Sequence, residues 1–147
     1  MKKKSFQRSS KQAGFTLIEL LVVIAIIGLL STLAVVALNN ARQKSRDAKR
    51  VSDIKQIQTA LELHYNDING YPASVSSGGS IASNGVTYMA TVPSNPTPVT
   101  DGDCASGSVY TYSAGTNNTT YSLRYCLGAA TGGVGLGINT ATPAGIK

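Results

Sequence analysis

No proline precedes Pro72, and no acidic residue precedes Glu19. The first absence removes the strongest helix breaker from the N-terminal half, which leaves room for one long uninterrupted helix. The second leaves a leader, residues 1–14, whose only charged side chains are Lys2, Lys3, Lys4, Arg8 and Lys11, the pattern of a segment kept in the cytoplasm ahead of an export signal. Histidine occurs once, as His64, near the expected end of a helix and with no nucleophile paired to it, so packing and not catalysis is expected of it. The two cysteines, Cys104 and Cys126, form no C-x-x-C pair and have no histidine nearby, which excludes the usual zinc patterns. Charge is scarce late in the chain: residues 73–147 carry only Asp101, Asp103, Arg124 and Lys147. Five of the 13 Lys and Arg sit in the leader, so the formal charge of +6 belongs mostly to that segment and argues little for a nucleic-acid partner.

What is present starts with an apolar run. Residues 15–38 hold one ionisable side chain, Glu19, and are long enough to cross a bilayer at ~20 residues and ~1.5 Å each. A carboxylate inside such a run costs roughly 2.5–3.5 kcal/mol on insertion scales. Two readings follow: a helix-end glutamate reaching for the headgroups, or a carboxylate held by a partner. A small-residue cleavage site normally follows the apolar run of a secretory signal, whereas here Gly14 precedes it. Gly28, in the middle of the run, reads either as a small residue allowing close helix contact or as a point where the helix unwinds.

The stretch Lys11-Gln12-Ala13-Gly14-Phe15-Thr16-Leu17-Ile18-Glu19 resembles the class III signal of type IV prepilins and of type II secretion pseudopilins. The resemblance implies that a membrane-embedded prepilin peptidase cuts between Gly14 and Phe15 and methylates the new amine of Phe15. It places Glu19 fifth in the mature chain, where the family's glutamate pairs with the free amino terminus of a neighbouring subunit during filament assembly. Such a pair makes electrostatic sense, because a cation and a lone carboxylate in a low-dielectric setting relieve each other's desolvation. The stretch from Asp53 to Pro72, closing in Asn69-Gly70-Tyr71-Pro72, is similar to the helix end of major pseudopilins, one residue more compact. The chain departs from the family at Val36, where relatives often carry a helix-breaking proline.

The helix is expected to continue beyond residue 38. Ala48, Val51, Ile54, Ile57, Leu61, Tyr65 and Ile68 recur at steps of three and four, which makes one apolar face that a sheet must cover. Leu63 falls on the other side, where a neighbouring subunit is the expected cover. Arg42, Lys44, Arg46, Lys49 and Arg50 crowd the helix just past the apolar run and read as a solvated or headgroup-facing surface, ahead of a nucleic-acid site. Positive charge there opposes the positive-inside bias, and the family motif decides the orientation in favour of a cytoplasmic leader. Gly70, as a left-handed cap, and Pro72 are expected to end the helix.

The remainder reads as a low-charge β region with long turns. Residues 86–90 form a weak strand, and residues 108–113 and 120–127 form the better pair. In the latter, Tyr121, Leu123, Tyr125 and Leu127 share one face, the natural cover for the helix stripe, with Ser122, Arg124 and Cys126 on the other. Residues 92–98 are a proline-rich connector, and the glycine-rich stretch 132–138 reads as an edge or loop without the context of a phosphate-binding motif. With this region outside the cytoplasm, Cys104 and Cys126 are expected to form a disulfide worth ~3 kcal/mol in the chain-entropy model. Pseudopilins of this type bind calcium in a late loop; Asp101-Gly102-Asp103 is half of such a loop with no acid after it, so neither metal nor cofactor is expected.

The expectation is therefore an α+β, pilin-like chain: a cleaved leader over 1–14, a transmembrane and filament-core helix over 15–38, the amphipathic half of the same helix over 39–70, and a small β-rich domain over 71–147. Its expected role is structural and not enzymatic, as a type II secretion pseudopilin anchored once in the inner membrane with its C-terminal domain outside the cytoplasm. The partners implied are the prepilin peptidase, identical and related pilin subunits, an inner-membrane assembly platform and the bilayer. A type IV major pilin serving adhesion, twitching or DNA uptake is the first alternative, and only a DNA-uptake pilus would bring nucleic acid in. A signal-anchored binding domain is the second.

Overall fold

The structure, a computed structural model, describes residues 14–105 and 108–146; the leader up to residue 13 and Lys147 lie outside the described residues. The chain divides into two compact units, Met1–Leu38 and Asn39–Lys147. One helix, α1, is recorded from Leu17–Ile68 without a break at Gly28 or Val36.

In the first unit every described residue is exposed, from Phe15 at 84% through Leu29 at 64% to Leu38 at 50%. The apolar window of α1 has a mean hydropathy of 2.9 and none of it is buried. An apolar surface this continuous on all sides is stable only against lipid or other protein.

In the second unit α1 buries Val51, Ile54, Ile57, Ala60 and Leu61 against the sheet. Ala48, expected on that face, is exposed, and its place is taken by Asp47 and Arg50. Leu63 is half exposed, as its position on the far side requires. The helix ends because Asn69, and not Gly70, takes the left-handed conformation (φ 58°), with its N–H still bonded to the Tyr65 carbonyl at 2.8 Å. Asparagine accepts that region because its short polar side chain tolerates it. His64 then donates from Nδ1 to the Gly70 carbonyl at 2.8 Å and meets Tyr88 edge-on, a packed residue at the helix exit.

Two antiparallel sheets follow. In the first, β1 (Ile81–Ser83) pairs with β2 (Val86–Met89) across Asn84-Gly85, both with positive φ, the two-residue turn that matches strand twist. The second is a meander, β3 (Thr111–Ala114), β4 (Tyr121–Leu127), β5 (Gly137–Thr142) and β6 (Gly145–Ile146), in that spatial order. Strand β4 is central: Tyr121, Leu123, Tyr125 and Leu127 are at most 2% exposed and join the helix stripe in one core, while Arg124 points out. The glycine-rich stretch therefore leads into a strand, since Gly137 and Ile138 open β5 opposite Leu127 and Cys126.

Candidate functional site

Two places gather chemistry, one in each unit. At the first, Thr16 is the residue ahead of α1 and Glu19 lies in its first turn. Four N–H groups at a helix start lack intrahelical acceptors, and here two are met reciprocally. The Thr16 N–H donates to Glu19 Oε2 at 2.9 Å, the Thr16 hydroxyl donates to the same oxygen at 2.7 Å, and the Glu19 N–H donates back to Thr16 Oγ1 at 3.3 Å. This is a capping box, and its Thr-x-x-Glu signature is visible in Thr16-Leu17-Ile18-Glu19. Glu19 thus has a local partner that neither the headgroup reading nor the amine reading provides. Gly14 and Phe15 lie ahead of the box, exposed and outside the helix, with nothing within 4 Å of where a Cβ on Gly14 would stand.

The second place overturns the expectation of a uniformly solvated basic surface. Arg50 and Asp47 are fully buried, and Arg46 also turns inward. Arg50 NH1 lies 2.6 Å from Asp47 Oδ1, its Nε donates to Asn95 Oδ1 at 2.8 Å, and its NH2 donates to the Pro98 carbonyl at 3.2 Å. Asp47 also accepts from the Gly128 N–H at 3.0 Å and the Ala129 N–H at 2.9 Å. Asp101 takes a two-point contact from Arg46, through Nε and through NH2 at 2.9 Å, with Arg50 NH1 at 3.4 Å. A fully desolvated guanidinium is stable only with its donors met, and these contacts meet most of them. The Arg46 hydrogen bonds hold the Asp101 carboxyl below its ordinary range, with burial working the other way. Burial raises Asp53 instead, opposed by the hydrogen bond from the Tyr110 hydroxyl at 3.1 Å and by Lys49.

The connector over 92–98, free of strand as expected, is therefore fixed to the helix by charge. Two glycines make that approach possible. Gly102 has φ 58°, and a Cβ on Gly102 or on Gly128 would strike the other segment's backbone where the two cross beside Gln43. Next to this crossing Cys104 and Cys126 are bonded, with Cα atoms 5.8 Å apart, tying the 101–105 segment to β4. Asp101 is thus occupied by arginine, and Asp103 is exposed; among the described residues no group of three His, Cys, Asp or Glu is placed to hold a metal ion. The signal that could have shown the cluster was Arg46, Asp47 and Arg50 on one helical turn, with Asp101 as the rare late acid able to answer them.

The prokaryotic N-terminal methylation motif matches residues 9–35, the segment that contains Gly14, Phe15, the capping box and most of the bare apolar helix. The chain is similar over its N-terminal half to type IV pilin-like proteins. It is 41% identical over 68 residues to the type II secretion system core protein G of Pectobacterium carotovorum subsp. carotovorum, covering 46% of this chain and 44% of that protein. The protein of the same name from Vibrio cholerae serotype O1 is 33% identical over 92 residues, 63% of this chain and 58% of the relative. A type IV major fimbrial protein, FimA of Dichelobacter nodosus, is 38% identical over 71 residues, 47% of this chain and 44% of the relative. The chain spans about half the length of the curated relatives it matches. No solved structure matches it. An α+β pilin arrangement, a long N-terminal helix packed on small antiparallel sheets, agrees with these likenesses.

Proposed function

We propose that this protein is a structural filament subunit, a pseudopilin of a type II secretion system acting in protein export. The observation that carries the reading is the apolar start of α1, none of whose residues up to Leu38 is covered, with Glu19 in its first turn inside the span that the methylation motif matches. In this reading residues 15–38 hold the precursor in the inner membrane, with residues 39–146 outside the cytoplasm. A prepilin peptidase cuts after Gly14 and methylates Phe15, an assembly platform takes the subunit up, and identical or related subunits then cover the apolar helix that lipid covered before. Burial against lipid or against sister helices satisfies the same surface, so transfer between them needs no refolding of α1.

The type IV pilus reading is kept for a specific reason: the fimbrial relative and the disulfide-closed segment between Cys104 and Cys126 both fit an exposed surface filament. An enzymatic role has no support in the names of the relatives or in the packed setting of His64. The test is maturation. The peptidase must accept backbone at the cleavage point with little side chain, so Gly14→Trp is expected to leave only full-length chain in the membrane fraction by mass spectrometry. Normal trimming of that variant to Phe15 would overturn the assignment.

A further inference from the structure

Of the five cations that follow the apolar run, the structure takes two out of play. Arg46 and Arg50 face inward and are neutralised by Asp47 and Asp101. Arg42 and Lys44 are exposed, and no salt bridge to either occurs among the described residues. Both lie in α1, so at ~1.5 Å per residue they follow Leu38 by ~6 and ~9 Å. The polar zone on each side of a bilayer is ~5–8 Å deep and the Debye length at physiological salt is ~8 Å, so both cations fall inside the field of a charged headgroup layer. Lys49, also exposed and without a salt bridge among the described residues, and Lys55 lie beyond it by the same count, at ~16 and ~26 Å past Leu38.

We infer that Arg42 and Lys44 form a contact for the phosphate groups of anionic phospholipid on the side of the membrane that faces away from the leader. The inference rests on the membrane reading of residues 15–38 and adds a lipid preference to it. Charge complementarity is what selects the partner: two unanswered cations, flanked by Gln43 and Ser45 and joined to a membrane-capable segment by three residues, Asn39, Asn40 and Ala41. A cation near an anionic surface gains ~1 kcal/mol, equivalent to about fivefold in local lipid occupancy. The contact also gives the external side of the helix an anchor that must be released when the subunit leaves the bilayer.

The full chain tests this in nanodiscs of phosphatidylcholine containing one fifth phosphatidylglycerol, with the leader cations replaced by glutamine so that only the far side contributes. Lipids retained on release into a native mass spectrometer are counted. Phosphatidylglycerol is expected to be enriched over the disc composition, Arg42→Gln with Lys44→Gln to lower that enrichment by at least about fivefold, and the charge-keeping pair Arg42→Lys with Lys44→Arg to retain it. Lys55→Gln is expected to change nothing. Unchanged enrichment in the glutamine pair would overturn the contact. So would a labelled DNA duplex held through these two residues in discs that show no phosphatidylglycerol preference, since the surface would then be a nucleic-acid site. A chain that does not enter the discs at all would overturn the membrane reading itself, a result distinguishable from insertion without lipid preference.

Discussion

Glu19 holds its own helix start through Thr16 with one carboxylate oxygen, Oε2, which leaves Oε1 for an incoming amine. In the proposed filament the amine of Phe15 on an adjoining subunit adds a charge-assisted bond in an apolar setting to this neutral local cap. Glu19→Ala is therefore expected to be cleaved and to stay in the membrane, yet to give no homopolymeric filaments on shearing and electron microscopy. Wild-type filament yield from that variant would remove the pairing role. Arg50 makes the opposite kind of prediction, about stability alone. Removing one partner of a fully buried pair leaves an uncompensated charge, so Arg50→Ala is expected to cost ~3–5 kcal/mol in denaturant unfolding. The same cluster has an acid limit. Asp101 is held below its ordinary value when folded, so its contribution is fully present above the unfolded carboxylate range of ~3.9 and is lost as pH falls through the lower folded value. Unfolding followed by tyrosine fluorescence is expected to show that loss below about pH 4 and none at pH 6. Glu19 stood out as a lone carboxylate in an apolar run, but its local partner Thr16 was missed although the Thr-x-x-Glu spacing carried the signal. Arg50 was not legible, since its partners Asn95, Pro98 and Asp101 come from a connector far away in sequence and only tertiary packing brings them together.

Among the elements, α1 and β4 could be read directly. Steps of three and four marked the helix face from Val51 to Leu61, and strict alternation marked Tyr121 to Leu127. The misses share a cause, which is that turn chemistry weighs more in short strands than composition does. Strand β1 is three residues long and exists because Asn84-Gly85 folds it back on β2; that dipeptide was its only signal. Strand β5 starts within a glycine run and is held by pairing with β4, not by the propensity of its own residues. The disulfide acts at this scale, because it closes a segment that contains all of β3 and fastens the Asp101 loop beside the ionic cluster. With Cys104→Ser and Cys126→Ser together, the melting temperature is expected to fall, by the equivalent of ~3 kcal/mol in the chain-entropy model. Mapping of peptides under non-reducing conditions should show the 104–126 link in the unaltered protein, and free thiols there after oxidising export would contradict it.

For the whole molecule, the two units have opposite requirements. Residues 39–146 complete their own core, with Leu61, Leu127 and Ala141 at 0% exposure, whereas residues 14–38 bury nothing. A chain built this way is unfinished until something covers its first unit, and the proposal is that lipid does so first and sister subunits later. The most direct measurement is the intact mass of the subunit taken from sheared, purified filaments. The proposed function predicts filaments whose subunit starts at Phe15, carries one added methyl group on its amine and retains the disulfide. Filaments absent altogether, or a purified subunit that still begins at Met1, would contradict it.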